Sequence, residues 1–364
     1  MKLFLTASAD TTLYQRFPTN NAGLDEILEV GKVAAPEDLG IAYTGSSARA
    51  LLTFILPTTA SVAPTASYFL NLKIANATKL PYEQELKIYK VSGSWTEGNG
   101  YSIQKNNVRI PLYSGSTYLG DFDPTKIVAT NDGATWRQAT TATSWSNAGG
   151  TYYTSPTQSV ILNEYPLQDL RIDVTNLVQP VVTASLDWHG LGVAFPVSSD
   201  NDENNQGNIK FFSRQTHTVH APTLEIVWDD AVFTTGSLKP IPNTTDIMVV
   251  PKNAAETYIK GTKQKIRFVV RGKYPQKNFD ATLRYKNKYY LPRTSYFSIV
   301  DYQAGTMITP FDDGSKIQCD TTGSYFVLDT TPLYKNRYYT VALNIDNGDE
   351  DNFIVPELFT FLVK

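Results

Sequence analysis

Apolar residues fall at every second position in run after run of this 364-residue chain. Tyr68, Leu70, Leu72 and Ile74 alternate with Phe69, Asn71 and Lys73. Leu170, Ile172 and Val174 alternate with Arg171 and Asp173, and Leu191, Val193 and Phe195 share one side of the next run. Leu224, Ile226 and Trp228 follow, then Ile266, Phe268 and Val270, then Tyr339, Val341, Leu343 and Ile345. Side chains on a strand point to opposite faces in turn, so each run predicts a strand with one buried and one wetted row. Asn99-Gly100, Asp132-Gly133 and Asp346-Asn347-Gly348-Asp349 supply turns between such runs. An aromatic share of 12% and a charged share of only 18% suit pleated surfaces better than long helices. Helical signals are confined to residues 24–30 and to Asp173–Gln179. In the second, Asp173 or Thr175 caps a single turn and Pro180 stops it soon after.

The length suits about two domains. Thr234–Asn243 contains Pro240 and Pro242 and reads as an extended connection. The predicted organisation is a sandwich over residues 1–232, a linker over 233–255 and a smaller sandwich over 256–364. The short last segment, with six or seven strands, has the size of an immunoglobulin-like domain. One cysteine, Cys319, excludes an intrachain disulfide framework, and with three histidines it leaves little for a structural zinc site. Cys319 is expected to be buried and inert. The apolar run at Met1–Ala7 is too short for a signal peptide, and no stretch reaches the ~20 apolar residues of a membrane span, so the expectation is a cytoplasmically made protein with no membrane partner.

Charge is divided unevenly. Residues 1–250 carry 16 basic and 23 acidic side chains, a balance of −7, and residues 251–364 carry 16 and 12, a balance of +4. Twelve basic residues lie between Lys252 and Arg293 against only Glu256 and Asp280. Lys263, Lys265, Arg267, Arg271, Lys273, Arg284, Lys286 and Lys288 therefore form a candidate partner-docking face. Their alternation with core residues reads first as the solvated side of a sheet. Interleaved Tyr274, Phe279, Tyr285, Tyr289 and Tyr290 resemble a single-strand binder in composition. A sheet's wet face, or an acidic protein partner, accounts for the same pattern without nucleic acid.

The order of short motifs in the first part resembles a DNRLRE-type domain, a carbohydrate-binding-module-like β-sandwich. The carrying residues are Ala9-Asp10-Thr11-Thr12, Leu28-Glu29-Val30-Gly31, Arg49-Ala50-Leu51-Leu52-Thr53-Phe54, Trp95-Thr96-Glu97, Asp173–Val178, Gly190-Leu191-Gly192-Val193, Phe211-Phe212-Ser213-Arg214 and Pro222-Thr223-Leu224-Glu225-Ile226. The resemblance implies a jelly-roll-like sandwich. It leaves function open, because one sandwich serves many roles. Long insertions, as between Thr96 and Trp136, bear on the loops where a sugar site would sit.

Residues 258–364 resemble small β-domains of structural proteins from contractile-tailed marine phages. The resemblance rests on Tyr296–Asp301, Pro310-Phe311-Asp312-Asp313, Gly323–Asp329 and Asn336-Arg337-Tyr338-Tyr339. It implies a virion component.

Groups for catalysis do not assemble at a diagnostic spacing. Glu83 and Glu85 share one face of a strand and read as a solvated edge. His217 and His220, three apart, would point to opposite faces of a strand. Calcium is the candidate cofactor. Asp200, Asp202 and Glu203 offer oxygen ligands, with Asp346, Asp349, Glu350 and Asp351 as a second cluster, although such loops are also plain turns. Trp136, Trp145, Tyr152 and Tyr153 lie in a Gly/Thr/Ser-rich stretch. They read either as a platform for a glycan or protein partner or as packing beneath a long loop. The expectation is a non-enzymatic structural protein of a phage tail, baseplate or neck, assembling with other phage proteins and with copies of itself in a symmetric array. Attachment to a host-surface glycan is the alternative.

Overall fold

The computed structural model describes residues 2–33, 46–57, 64–80, 83–101, 110–114, 117–122, 132–163, 168–184, 186–196, 207–241, 247–274, 289–346 and 353–364. The chain folds as two compact units, Phe4–Ile226 and Val227–Lys364, the latter joined by Met1–Leu3. Both are all-β, as the alternation predicts.

The first unit contains β1 (Lys2–Thr6), β2 (Ala9–Tyr14), β3 (Ile27–Val33), β4 (Ser46–Thr53), β5 (Ser67–Leu72), β6 (Ile74–Thr78), β7 (Glu83–Val91), β8 (Ile110–Ser114), β9 (Thr117–Phe122), β10 (Tyr152–Asn163), β11 (Leu170–Asp173), β12 (Leu191–Ala194), β13 (Gly207–Phe212) and β14 (Thr223–Val227). One sheet runs β1-β14-β5-β11; the larger runs β10-β7-β12-β4-β3-β13-β6, with β2 also on β4. β8 and β9 form a separate hairpin. Tyr68, Leu70, Leu72, Leu224 and Ile226 are buried from the smaller sheet, and Leu28, Val30, Leu86, Ile88, Val193, Ile209 and Phe211 from the larger. Burying such side chains stabilises a fold by roughly 1.5–3 kcal/mol each.

The structure departs from two local expectations. Residues 24–30 do not turn helically; Ile27–Val33 is a strand whose Ile27 to Lys32 pair with β13. Cross-strand pairing with β13 outweighs the weak local preference. Helix α1, Thr175–Ala184, runs past Pro180 instead of ending before it. Proline forfeits one backbone bond, and burial of Leu177, Val178, Val181 and Val182 along one stripe offsets the loss. The Asp173 carboxylate accepts from the Thr175 N–H at 2.9 Å, as a capping group does.

The second unit contains β15 (Lys239–Pro240), β16 (Ile247–Pro251), β17 (Thr257–Tyr258), β18 (Lys263–Gly272), β19 (Tyr289–Tyr290), β20 (Tyr296–Asp301), β21 (Met307–Thr309), β22 (Gln318–Asp320), β23 (Gly323–Asp329), β24 (Arg337–Ile345) and β25 (Phe353–Val363). Sheets β16-β18-β23-β22 and β17-β25-β24-β20-β21 enclose one core. Phe297 of one sheet meets Phe326 of the other at 4.4 Å between ring centres, and Phe268 stacks on Phe326 at 5.6 Å. The described residues of the expected linker at 233–255 include strand segments. Phe233 bridges Cys319, and β16 pairs with β18 along its whole length. Ile247-Met248-Val249-Val250 carries the β-branched pattern of a strand, which outweighs the two prolines before it. The turn at Asp346–Asp349 lies mostly outside the described residues; the strands flanking it pair antiparallel.

Candidate functional site

Sequence motifs far apart along the chain meet in the first unit. Asp10 on β2 is 1% exposed. Its Oδ2 accepts the Arg214 backbone N–H at 2.6 Å, and its own N–H donates to Glu97 Oε1 at 3.1 Å. Arg214 Nη1 donates to both Glu97 carboxylate oxygens, at 3.1 and 2.8 Å, and Gln215 Nε2 donates to Oε1 at 3.3 Å. Burial pushes the Asp10 carboxyl up to about 7, and the neighbouring Glu97 charge adds to the rise; the Arg214 amide and guanidinium oppose it. A carboxyl titrating near neutrality suits a general base. Here its Oδ1 is enclosed with no hydrogen-bond partner, so it faces protein and not a substrate cleft. The cluster ties β2 to the segments after Trp95 and after β13.

Asn21 performs a second junction. Its amide nitrogen donates to the Glu97 and Ala134 carbonyls at 2.7 and 2.8 Å. Its oxygen accepts from Gly23 and Gly100 N–H at 3.1 and 2.8 Å. All four bonding positions named by its chemistry are filled. The loops so joined approach closely enough to require glycine. Gly98 has φ +81°, and a Cβ there would lie 1.8 Å from the Asp132 carbonyl oxygen. The Asn20-Asn21-Ala22-Gly23 run, like Asn99-Gly100 and Asp132-Gly133, reads in the sequence as an ordinary turn.

The Gly/Thr/Ser-rich stretch folds inward around Arg49. The guanidinium lies over the Trp136 ring at 5.0 Å and the Tyr152 ring at 6.0 Å, and Nη1 donates to the Gly149 carbonyl at 3.0 Å. Trp136 and Trp145 are buried at 7% and 8% exposure, and Trp145 Nε1 donates to the Thr135 carbonyl at 2.9 Å. Neither tryptophan offers a ring face to solvent. Tyr152 is half-buried, its hydroxyl donating to the Gly149 carbonyl at 2.8 Å. Tyr153 alone of the four is exposed, with Lys90 Nζ 5.1 Å above its ring.

In the second unit the outward row of β18 carries Lys263, Lys265 and Arg267. Lys263 pairs with Asp329 at 3.1 Å and Lys265 with Asp320 at 2.7 Å. Arg267 grips both oxygens of Asp320 in a fork, at 2.8 and 2.7 Å. That fork, with Lys265 and Thr322, holds the Asp320 carboxyl far below the usual carboxylate range. Tyr325 lies beneath, 3.4 Å from Lys265 Nζ. Three members of the candidate docking face thus already have internal carboxylates. Arg271 donates to Met248 Sδ at 3.3 Å, and Lys273 lies 5.7 Å from the Tyr274 ring, itself 77% exposed. The acidic partners lie on β22 and at the end of β23, where register, invisible in the sequence, brings them alongside.

Arg284, Lys286 and Lys288 lie outside the described residues, as do Asp200, Asp202 and Glu203 and, of the second acidic cluster, Asp349, Glu350 and Asp351. Glu83 and Glu85 share the outward row of β7, where Glu85 lies 3.7 Å from Lys87. His217 and His220 stand after β13 in irregular backbone and not on a strand. His217 is exposed, 3.3 Å from Glu26, and His220 packs on Phe212 at 5.3 Å. Among the described residues no three His, Cys, Asp or Glu side chains gather to hold a metal ion, and no helix is long and apolar enough to cross a membrane. Cys319 is buried and free, and burial raises its thiol above the ordinary range. No family model matches the chain, and no curated protein matches it.

Proposed function

We propose that this chain is a non-catalytic structural component of a bacteriophage particle, presenting two β-sandwiches to neighbouring subunits of a tail, baseplate or neck. The observation that carries the structural part is the use of the motif side chains. Asp10, Arg49, Glu97 and Arg214 bond to one another or to loop backbone, and Asn21 fills its positions in the same way. Each joins distant loops into a rigid frame. The phage assignment draws on the resemblance of residues 258–364. The glycan-attachment alternative would have to use Tyr153 or another exposed ring such as Tyr101, because the two tryptophans of the loop are packed inside. Mass spectrometry of purified particles tests the proposal. A fixed copy number per particle is expected. Recovery of the chain only from the lysate would overturn it.

A further inference from the structure

Most edge strands in the first unit are blunted. β1 and β6 have five residues each and β11 four, and β11 carries charges at Arg171 and Asp173. Short or charged edges resist pairing with other chains. β10 differs. It ends the larger sheet, spans 12 residues and contains no charged side chain. After an irregularity between Tyr152 and Thr157, Thr157–Asn163 pairs without interruption with β7, from Tyr89 to Glu83. Among the described residues no strand lies on its other side. Helix α1 passes beside it, yet Ser159 and Asn163 are exposed and Ile161 is 62% exposed.

Alternate N–H and C=O groups of an edge strand point away from its sheet, and only another extended backbone satisfies them in a regular row. A seven-residue run with no charge, proline or glycine is the sequence type that takes a further strand. From this we infer that the Thr157–Asn163 edge is a strand-pairing site, and that its occupant is the same strand of a second copy, antiparallel across a two-fold axis. The strand suits its own reverse because antiparallel pairing sets no like charges opposite each other. A two-fold contact also uses one patch twice. One strand pair is small beside a standard interface, so the pairing belongs to the weak, concentration-dependent class.

Sedimentation analysis of the full chain between about 10 and 500 μM tests the pairing, a range that covers weak interfaces. The mass should climb from 40.5 kDa toward twice that value. Hydrogen exchange at the amides of residues 157–163 should slow at the upper concentrations. Ser159→Lys and Ile161→Lys alter exposed positions and place like charges across the axis. Each should keep the unfolding transition of the parent and remain monomeric throughout. A parent chain that stays monomeric at the highest concentration would overturn the inference. So would a dimer that persists in both lysine variants, or one that leaves exchange at residues 157–163 unchanged.

Discussion

Replacing Asp10 with asparagine should make the first unit more stable at neutral pH and remove a specific part of its pH dependence. The folded chain holds the Asp10 proton up to about pH 7, whereas the ordinary value is 3.8. Between those values the unfolded state binds fewer protons than the folded one, so stability falls as pH rises. The contribution is fully present below about 3.8 and is gone above about 7. At ~1.4 kcal/mol per pH unit, the whole window is worth about 4 kcal/mol, and the portion between pH 5 and 8 about 3 kcal/mol. Asparagine keeps an oxygen for the Arg214 N–H and cannot ionise. Urea unfolding of parent and variant at pH 5, 6, 7 and 8 reads the difference. The variant should gain on the parent by about 3 kcal/mol across that range, which at ~2–3 kcal/mol per molar urea moves its relative midpoint by roughly 1 M. A gap that stays constant from pH 5 to 8 would show that Asp10 is already ionised throughout, and the account of its burial would be wrong.

Asn21→Ala deletes four buried hydrogen bonds and orphans their backbone partners; a loss of about 3–4 kcal/mol is expected in urea unfolding. Arg49→Lys keeps the charge but not the flat stack on Trp136, and should cost about 1–2 kcal/mol with a red shift of tryptophan fluorescence. Asp320→Asn breaks the fork with Arg267 at a partly exposed site, so about 1 kcal/mol should be lost at neutral pH. Because the Asp320 pKa is depressed in the folded chain, that difference should shrink as pH falls below about 4. Thermal melts of the two chains at pH 3 and 7 would check it.

The strands were legible because their signal is local. Tyr339, Val341, Leu343 and Ile345 announce one buried row, and the structure buries all four. The α1 helix was half visible. Its start follows from Asp173, but its passage through Pro180 depends on an apolar stripe meeting the rest of the unit. The polar junctions were harder. Asp10, Glu97 and Arg214 each sit in a motif that could be picked out, while their convergence depends on strand order, a long-range property. Lys265 and Arg267 announced a positive face, yet Asp320 lies 53 residues beyond Arg267 and becomes its neighbour through β23. Tryptophans in a glycine-rich stretch carry no mark of direction, and Arg49, 87 residues before Trp136, holds that ring inward.

The lone sulfhydryl at Cys319 gives this protein a built-in clock. A thiol reagent added to the native chain can react only when β22 separates from β23 and from the Phe233 segment it bridges. The colour change then times the opening of the C-terminal sandwich with no engineered label. Comparing that rate with and without a binding partner would reveal whether the partner holds the C-terminal half shut.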